Sequence, residues 1–128
     1  MKANIEVKNA KGTIYMLNKA AASQYNKQTR EVIGKSVFDF FDRVTAQKYF
    51  DIEKEIIEKK KTVRSLEKVK HGNKTLYLEI QKACIFLPEF DDWGLLVIQD
   101  PIETSRAISE DYHMELKQRF PGITIDIY

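Results

Sequence analysis

The sequence predicts an α+β domain with five β-strands, several short helices and one long helix. Short apolar runs bounded by Gly, Asn and Asp indicate the strands, and residues 46–60 carry apolar side chains at helical spacing. The elements follow in the order strand, strand, short helices, long helix and three strands. The length of 128 residues and the 43% of hydrophobic residues are typical of one domain with its own core.

The overall composition narrows the possible functions. The 21 Lys and Arg against 19 Asp and Glu leave a net charge of +2, which is too small to indicate nucleic-acid or anionic-membrane binding. The longest unbroken apolar run, residues 83–87, is far short of the roughly 20 residues that cross a bilayer. The N-terminal residues lack a secretory signal, so we expect a protein that is cytoplasmic or is excised from something larger. The single cysteine, Cys84, excludes an internal disulfide and a Cys-rich zinc site.

The first third of the chain predicts a hairpin followed by short helices. Residues 5–8 and 13–17 form alternating runs around a turn that contains Gly12. Asn18 is a suitable N-cap for an Ala-rich helix over residues 19–24. Residues 29–41 are too densely apolar for one amphipathic helix, which favours short helical turns.

Residues 46–60 give the clearest helix. Its apolar stripe consists of Ala46, Tyr49, Phe50, Ile56 and Ile57. Ile52 lies off this stripe, and the acidic and basic residues, Glu53 among them, occupy the remaining positions. The pattern therefore predicts one regular helix with charged residues off its apolar stripe.

Residues 62–70 and 74–86 predict a long hairpin around His71-Gly72-Asn73. A two-residue Gly72-Asn73 turn would pair three sets of residues on one face, Val69 with Leu76, Glu67 with Leu78 and Ser65 with Ile80. Leu66 and Glu79 would then lie on the opposite face, whereas a three-residue turn would shift this register. Residues 94–99 are apolar on both faces, which indicates a central strand that ends at Asp100-Pro101.

The last part of the chain predicts a helix over residues 102–120. Ile108, Tyr112, Leu116 and Phe120 recur every four residues, and Pro121-Gly122 follow. This stripe needs a partner surface, either a second copy or the protein's own sheet. Residues 123–128 alternate as a strand, which is either an added edge strand or the start of a following domain.

Three segments carry a family resemblance. The first is residues 11–21, where a glycine turn leads into a strand ending in Asn18 and a small-residue helix. The second is Val32-Ile33-Gly34-Lys35 with the residues up to 41, and the third joins Leu66-Glu67, His71-Gly72 and residues 95–100. In this order and spacing they resemble the PAS domain family of sensor modules. The chain departs from that family at Asp100-Pro101-Ile102, where Asp-Ile-Thr is usual, and the flanking N-terminal helix that is common in the family is absent or truncated.

The resemblance implies a fold and a function. The fold is a five-stranded antiparallel sheet with short helices and one long helix on one face, plus a C-terminal helix. Residues 1–100 would be the sensor domain, and residues 101–128 the signalling helix with a terminal strand or linker. The implied function is non-enzymatic: a sensory domain of a sensor kinase, as in two-component systems, or of a transcriptional regulator, coupling ligand or partner binding to an output domain.

The cofactor has to be argued from individual residues. Haem is disfavoured because the long helix carries no histidine, and His71 lies in the hairpin turn. Flavin photoadduct chemistry is disfavoured because Cys84 lies on a predicted strand rather than on the helices, where it is expected to be a small core residue. Flavin held without a covalent bond has no fixed motif and stays open. We expect a small organic ligand or none.

The pocket of such a fold would lie between the helices and the inner face of the sheet. The candidate ligand-binding residues are Tyr25, Phe38, Phe41, Tyr49, Ile56, Glu67 and Leu78. Plain core packing is the alternative for each of them. Glu67 is the sharpest candidate, because a carboxylate among leucines must be paired, protonated or near an edge. Asp100 is the candidate point of signal exit.

Two other functions stay open at this stage. One is a small α+β cup enzyme or carrier that uses Glu67 or Glu79 as a general base. The other is a module that acts only in protein–protein interaction. His113 faintly resembles a sensor-kinase phosphoacceptor but is better explained as a solvent-facing residue of a linker helix. The partners that we expect are a second copy and an output domain, with no direct contact of this segment to nucleic acid or membrane.

Overall fold

The computed structural model describes residues 3–71, 73–107, 109–121 and 124–125. The strands are β1 (Asn4–Lys8), β2 (Ile14–Leu17), β3 (Thr62–His71), β4 (Lys74–Leu87), β5 (Asp92–Ile102) and β6 (Thr124–Ile125). The helices are α1 (Lys19–Gln24), α2 (Thr29–Val32), α3 (Val37–Phe40), α4 (Arg43–Glu58), α5 (Thr104–Ala107) and α6 (Glu110–Arg119). The predicted α+β class is confirmed.

The strands form one sheet in the order β2-β1-β5-β4-β3-β6. The first five strands pair antiparallel, as predicted. The short β6 adds to the edge of β3 in parallel, through Thr124 and Ile125. The other residues of the predicted strand over 123–128 lie outside the described residues. The C-terminal segment thus returns to the sheet as an edge strand.

The register of the β3–β4 hairpin is the predicted one. His71 pairs with Lys74, so the turn has two residues. Glu67 pairs with Leu78, and Leu66 pairs with Glu79 on the opposite face. A one-residue slip would exchange these two faces. The hairpin therefore presents Glu67 and Leu78 to one side of the sheet, and Leu66 and Glu79 to the other.

The expected end of β5 at Asp100 is wrong, because the strand continues to Ile102. Pro101 pairs with Leu78 of β4, whereas the pairing of β5 with β1 extends only to Gln99. At Pro101 the strand is thus paired on one side in the described part of the sheet, which is where a residue without an N–H is tolerated. The chain leaves the sheet two residues beyond Asp100.

Helix α4 begins earlier than predicted and buries an unexpected residue. It starts at Arg43, because the Asp42 side chain caps it by accepting a hydrogen bond from the Thr45 N–H. Ile52 is 42% exposed, which confirms its place off the stripe. Glu53, one of the charged residues off the apolar stripe, is nevertheless buried. Two lysines of the sheet hold its carboxylate there.

The single helix predicted over residues 102–120 is wrong in its extent. Ile102 belongs to β5, and two separate helices follow. The second helix, α6, starts afresh because the Ser109 hydroxyl accepts a hydrogen bond from the Tyr112 N–H. Ile108 lies outside the described residues. The predicted stripe still exists on α6, where Tyr112 and Leu116 are buried.

The sheet is covered on both faces. Helices α1, α3 and α4 lie over one face, here named the inner face, where Ile56 of α4 packs against Leu95 and Val97. Ile56 is almost completely buried, and burial of such a side chain stabilises the folded state by about 1.5–3 kcal/mol. On the other face, here named the outer face, Tyr112 and Leu116 of α6 pack against Leu66 of β3. Of the two partner surfaces considered for the C-terminal stripe, the structure thus uses the protein's own sheet.

Candidate functional site

A cavity of about 640 Å³ lies between the inner face and helices α1, α3 and α4, and it is partly open to solvent. One side of this cavity is an aromatic wall formed by Tyr25, Phe40, Phe41 and Tyr49. The opposite side is a polar floor on the sheet, formed by Asn4, Glu6, Lys82 and Gln99. The site therefore combines apolar ring surface with hydrogen-bonding groups, as small-molecule sites do.

The aromatic wall consists of two ring pairs. Tyr25 follows α1 and stacks on Phe40 at the end of α3, with ring centroids 4.5 Å apart. Phe41 meets the edge of Tyr49 of α4 at 5.3 Å. Phe41 is 41% exposed, so this ring is left uncovered at the opening of the cavity. The short helices α1 and α3 thus place aromatic rings over the sheet without closing the space beneath them.

The polar floor results from strand alternation in three paired strands. Asn4 and Glu6 lie on the same face of β1 because they are two residues apart. Asn4 pairs with Gln99 of β5, and Glu6 pairs with Val97. Val97 in turn pairs with Lys82 of β4. The register therefore gathers polar side chains of β1, β5 and β4 on one patch of the inner face.

One end of the floor is a buried ion cluster. Lys8 and Lys82 each donate to a different oxygen of Glu53, over 2.8 Å in both cases. The side chains of Lys8, Lys82 and Glu53 are only 4%, 17% and 11% exposed. Burial raises the pKa of Glu53, but the two lysine charges outweigh it and hold the pKa below its ordinary value. Glu53 is therefore ionised and pins α4 to the sheet.

Glu6 is the second buried carboxylate of the cavity. Only 8% of the residue is exposed, and its Oε1 accepts a hydrogen bond of 2.5 Å from the Tyr25 hydroxyl. Burial and the nearby Glu6 charge raise the pKa of Tyr25 far above its ordinary value, so Tyr25 stays protonated and donates. Within the described residues Glu6 makes no salt bridge. Among the described residues, the one side-chain donor to the Glu6 carboxyl is thus a neutral hydroxyl.

The side-chain amides of Asn4 and Gln99 are available for binding. Asn4 is 7% exposed, and Gln99 is half-buried beside it on the neighbouring strand. Neither amide group hydrogen-bonds to any residue that the structure describes. Each amide offers both a donor and an acceptor. The floor therefore presents free hydrogen-bonding groups to the cavity.

The structure brings together most of the residues predicted for the pocket. Those that line the cavity are Tyr25, Phe41, Tyr49, Glu67 and Leu78. Phe38 lies elsewhere, 43% exposed against the Phe50 ring, and Ile56 lies in the core between α4 and the sheet. Contact of the lining residues with a ligand stays a prediction.

Sequence reasoning missed the polar floor and the ion cluster at its end. The missed residues are Asn4, Glu6, Lys8, Glu53, Lys82 and Gln99. The alternation of β1 is visible in the sequence, but apolar residues are normally assigned to the covered face. Here Ile5 points outward and is 38% exposed, while Glu6 is buried. Polar residues at matching register positions of three paired strands are the signal that would have identified the site.

Other residues singled out from the sequence lie outside the cavity. Glu79 is on the outer face, where it accepts a hydrogen bond from Tyr112, so its proposed role as a base in the pocket is wrong. His113 is half-buried with its Nε2 against the Ala107 carbonyl, so the expectation that it faces solvent is also wrong. Cys84 is half-buried on β4, and burial raises the pKa of its thiol. Asp100 is exposed near the end of β5.

Comparison with protein families identifies the chain. Residues 1–110 match the family model described as the PAS fold. The match covers most of the chain, and the chain therefore belongs to the PAS family. The resemblance noted in the sequence is confirmed. No curated protein sequence matches the chain.

Solved structures support the same fold. The chain is similar to the VqmA dimer of Vibrio cholerae, a LuxR-type receptor, with a TM-score of 0.71 and 12% identity over 84% of this chain and 49% of that one. A domain of an HTR-like protein from Haloarcula marismortui gives a TM-score of 0.63 and 16% identity, covering 79% and 98%. The PAS domain of the histidine kinase ThkA gives a TM-score of 0.59 and 20% identity, over 78% of this chain and 99% of that one.

These neighbours establish architecture only, because their identities are low. The chain spans about half the length of the V. cholerae VqmA chain. No helix in the described ranges has the length and apolarity needed to span a membrane. Among the same residues, no group of three or more His, Cys, Asp or Glu side chains is placed to hold a metal ion.

Proposed function

We propose that this PAS domain is a sensor that binds a small polar organic ligand in the cavity and transmits its occupancy through residues 101–128 to an output domain. The polar floor beneath the aromatic wall is the observation that carries this proposal. A volume of about 640 Å³ lies within the roughly 300–1,000 Å³ of typical small-molecule sites.

The polar floor favours a ligand over plain core packing. A core without a ligand gains most from apolar side chains, and buried polar groups lose free energy unless they are hydrogen-bonded. Asn4 and Gln99 turn free amides toward the cavity. A bound polar molecule would satisfy these groups and cover the uncovered ring of Phe41. The residues are therefore better explained by binding than by folding alone.

The hairpin β3–β4 supplies a route from the cavity to the C-terminal segment. Glu67 and Leu78 line the cavity, and their sequence neighbours Leu66 and Glu79 contact α6 on the outer face. A ligand that shifts the hairpin would thus shift the packing surface of α6. The cavity and α6 would be coupled directly, because adjacent residues of the same strands contact the cavity on one face and α6 on the other.

The end of β5 supports the proposed exit at Asp100. Asp100 pairs with Glu79, the residue that accepts the hydrogen bond from Tyr112. Two residues later, Ile102 packs against the cluster that holds α6. The strand therefore reaches the outer-face contacts of α6 before the chain leaves the sheet.

The structural neighbours agree with such a role. One VqmA structure is described as bound to DPO, another as a complex with ligand and DNA, and ThkA is a histidine kinase. We propose by analogy that this domain also controls an output domain and works as a homodimer. The exposed apolar residues Ile5, Met16 and Ile33, on the part of the outer face away from α6, suit the dimer contact.

Binding rather than catalysis is the role that we propose. A general base needs a positioned partner and a group that stabilises the developing charge. Glu67 lines the cavity, but it makes no hydrogen bond within the part of the chain that the structure describes. Turnover of a substrate by the wild type and its loss in Glu67→Gln would overturn this part of the proposal.

Native mass spectrometry of the full chain, followed by a thermal-shift screen of small metabolites, tests ligand binding. The control is Ala20→Trp, which puts a bulky side chain at a cavity-lining position of α1. We expect a bound small molecule, or a raised melting temperature with at least one compound, in the wild type and not in the control. Equal shifts in both proteins, or no bound species and no shift in the wild type, would contradict the proposal.

A further inference from the structure

We propose that the cavity selects a ligand that carries a positively charged amino group, with Glu6 as its counter-charge. This inference rests on the proposed ligand-binding function and names the chemistry of the ligand. The observation behind it is a buried carboxylate that faces a cavity without a cationic partner among the described residues.

The charges around the cavity are unevenly matched. Lys8 and Lys82 are both bound to Glu53 at the end beneath α4. Glu6 and Glu67 also line the cavity, and neither makes a salt bridge within the described ranges. Two lysines and three glutamates therefore leave one negative charge in excess. Glu6 lies two residues along β1 from Lys8, but neither lysine is within salt-bridge distance of its carboxylate.

Glu6 carries the argument because it is more than nine-tenths buried. An ionised carboxylate removed from water is costly unless it is paired with a cation or amply hydrogen-bonded. Tyr25 donates one hydrogen bond, to Oε1, and no described residue donates one to Oε2. A ligand ammonium group would supply both the missing hydrogen bond and the opposite charge.

The groups next to Glu6 also suit an amine. Asn4 and Gln99 offer carbonyl oxygens beside Glu6, and an ammonium group has three N–H donors to share among such acceptors. The rings of Tyr25 and Phe40 stand over the same floor. Aromatic faces attract cations at close range. Because Tyr25 stays protonated, it contributes an aromatic face to the site and no negative charge.

An anionic ligand fits less well. Lys82, which lines the cavity, already donates to Glu53 and lies over the Tyr49 ring with its Nζ 5.6 Å from the ring centre. Lys8 is almost fully enclosed. A carboxylate or phosphate that reached these lysines would have to displace Glu53 and would lie close to Glu6. Like charges at short range in a poorly solvated site repel strongly.

The test compares three probes with the same ring: tyramine, 4-hydroxyphenylacetate and 4-ethylphenol. Binding is measured by isothermal titration calorimetry to the wild-type full chain. We expect tyramine to bind at least tenfold more tightly than the acid and the uncharged phenol. Equal or tighter binding of either analogue, or no binding of tyramine, would overturn the inference.

Two matched variants assign the effect to Glu6. Glu6→Gln keeps an acceptor for the Tyr25 hydroxyl and is expected to weaken tyramine binding at least tenfold. Glu67→Gln, at the half-buried position on β3, is expected to change it less. Circular dichroism and the melting temperature confirm that both variants fold. Tyramine binding that is insensitive to Glu6→Gln would overturn the inference.

Failure of this inference is distinguishable from failure of the proposed function. Uncharged or acidic compounds that raise the melting temperature of the wild type but not of Ala20→Trp would leave the sensor proposal intact and refute the amine preference. Absence of any ligand in the open screen would refute the sensor proposal itself.

Discussion

The Tyr112 hydroxyl donates a hydrogen bond of 2.7 Å to Oε2 of Glu79, and this bond ties helix α6 to strand β4. Glu79 is the direct neighbour of Leu78, which lines the cavity on the other face of the sheet. One residue of β4 thus faces the proposed ligand site, and the next holds the C-terminal helix. The proposed signalling mechanism depends on this adjacency.

Replacing Tyr112 by Phe should loosen α6 while keeping its apolar contacts. Burial and the Glu79 hydrogen bond raise the pKa of Tyr112, so the hydroxyl is a donor at all physiological pH values. We expect Tyr112→Phe to lower the free energy of unfolding by about 1 kcal/mol and to speed hydrogen exchange of α6 amides. Urea denaturation and exchange mass spectrometry measure both effects.

Tyr15→Phe is the matched control for that variant. The Tyr15 hydroxyl also donates to a glutamate, Glu89, but over 3.2 Å and at an exposed position. We expect a change of less than about 0.5 kcal/mol, as for other surface substitutions. If Tyr15→Phe destabilised the domain as much as Tyr112→Phe, the Tyr112–Glu79 hydrogen bond would contribute no more to stability than an exposed one.

Removal of Glu53 should be among the most damaging polar substitutions in the domain. Glu53→Ala leaves Lys8 and Lys82 without their carboxylate partner in a poorly solvated region. We expect a loss of about 3–5 kcal/mol in the free energy of unfolding, measured by chemical denaturation. Glu58→Ala on the same helix removes an exposed pair with Lys54 at 3.9 Å and should cost about 0–1 kcal/mol. Similar losses in the two variants would be incompatible with a buried ion cluster.

The Glu53 cluster also predicts a dependence of stability on pH. The pKa of Glu53 in the folded protein lies below its ordinary value of 4.5, because the charges of Lys8 and Lys82 outweigh burial. A depressed pKa contributes stability above pH 4.5, and this contribution is lost as the pH falls through the folded-state pKa. The stability difference between wild type and Glu53→Gln should therefore be constant from pH 7 to 5 and shrink below that. A difference that grows on acidification would contradict the assignment.

The close approach of β1 and β5 requires glycine at position 94. A Cβ on Gly94 would lie 2.4 Å from the Lys8 carbonyl oxygen, a backbone atom that cannot yield without moving β1. We expect Gly94→Ala to destabilise the domain by more than Gly34→Ala. Gly34 has open space around it, so alanine there meets only the strain of φ +87°, about 1–2 kcal/mol. Thermal unfolding measures the loss of stability in both variants. A larger loss in Gly34→Ala than in Gly94→Ala would be evidence against the close contact between β1 and β5.

Sequence patterns predicted the backbone better than the site. The Gly72-Asn73 turn predicted the hairpin register residue by residue, because turn length sets pairing over the whole hairpin. The end of β5 and the helices after it were harder to predict. A proline such as Pro101 usually indicates the end of a strand, but β5 continues through it. The helix cap at Ser109 lies within the segment whose apolar residues recur at helical spacing. Local capping divided a segment whose periodicity indicated one helix.

The polar floor was not predicted because burial of Glu6 and Glu53 is a tertiary effect. Glutamate is among the residue types that are mostly exposed, so neither residue by itself indicates burial. Only the register that places Lys82 opposite Val97, and the length of α4 that brings Glu53 to the sheet, make the inward position favourable. Tyr25, Phe41 and Tyr49 were easier to predict, because aromatic side chains commonly line ligand pockets. The same reasoning failed for Phe38, which lies against Phe50 outside the cavity.

Hydrogen exchange over residues 110–119 of the full chain, with and without a saturating compound from the ligand screen, tests the central claim most directly. The claim is that occupancy of the cavity changes the packing of α6 on the outer face. We expect exchange of the α6 amides to change together with that of the cavity-lining strands, and to change less in Tyr112→Phe. Altered exchange confined to the cavity, with α6 amides unaffected in the wild type, would contradict the claim.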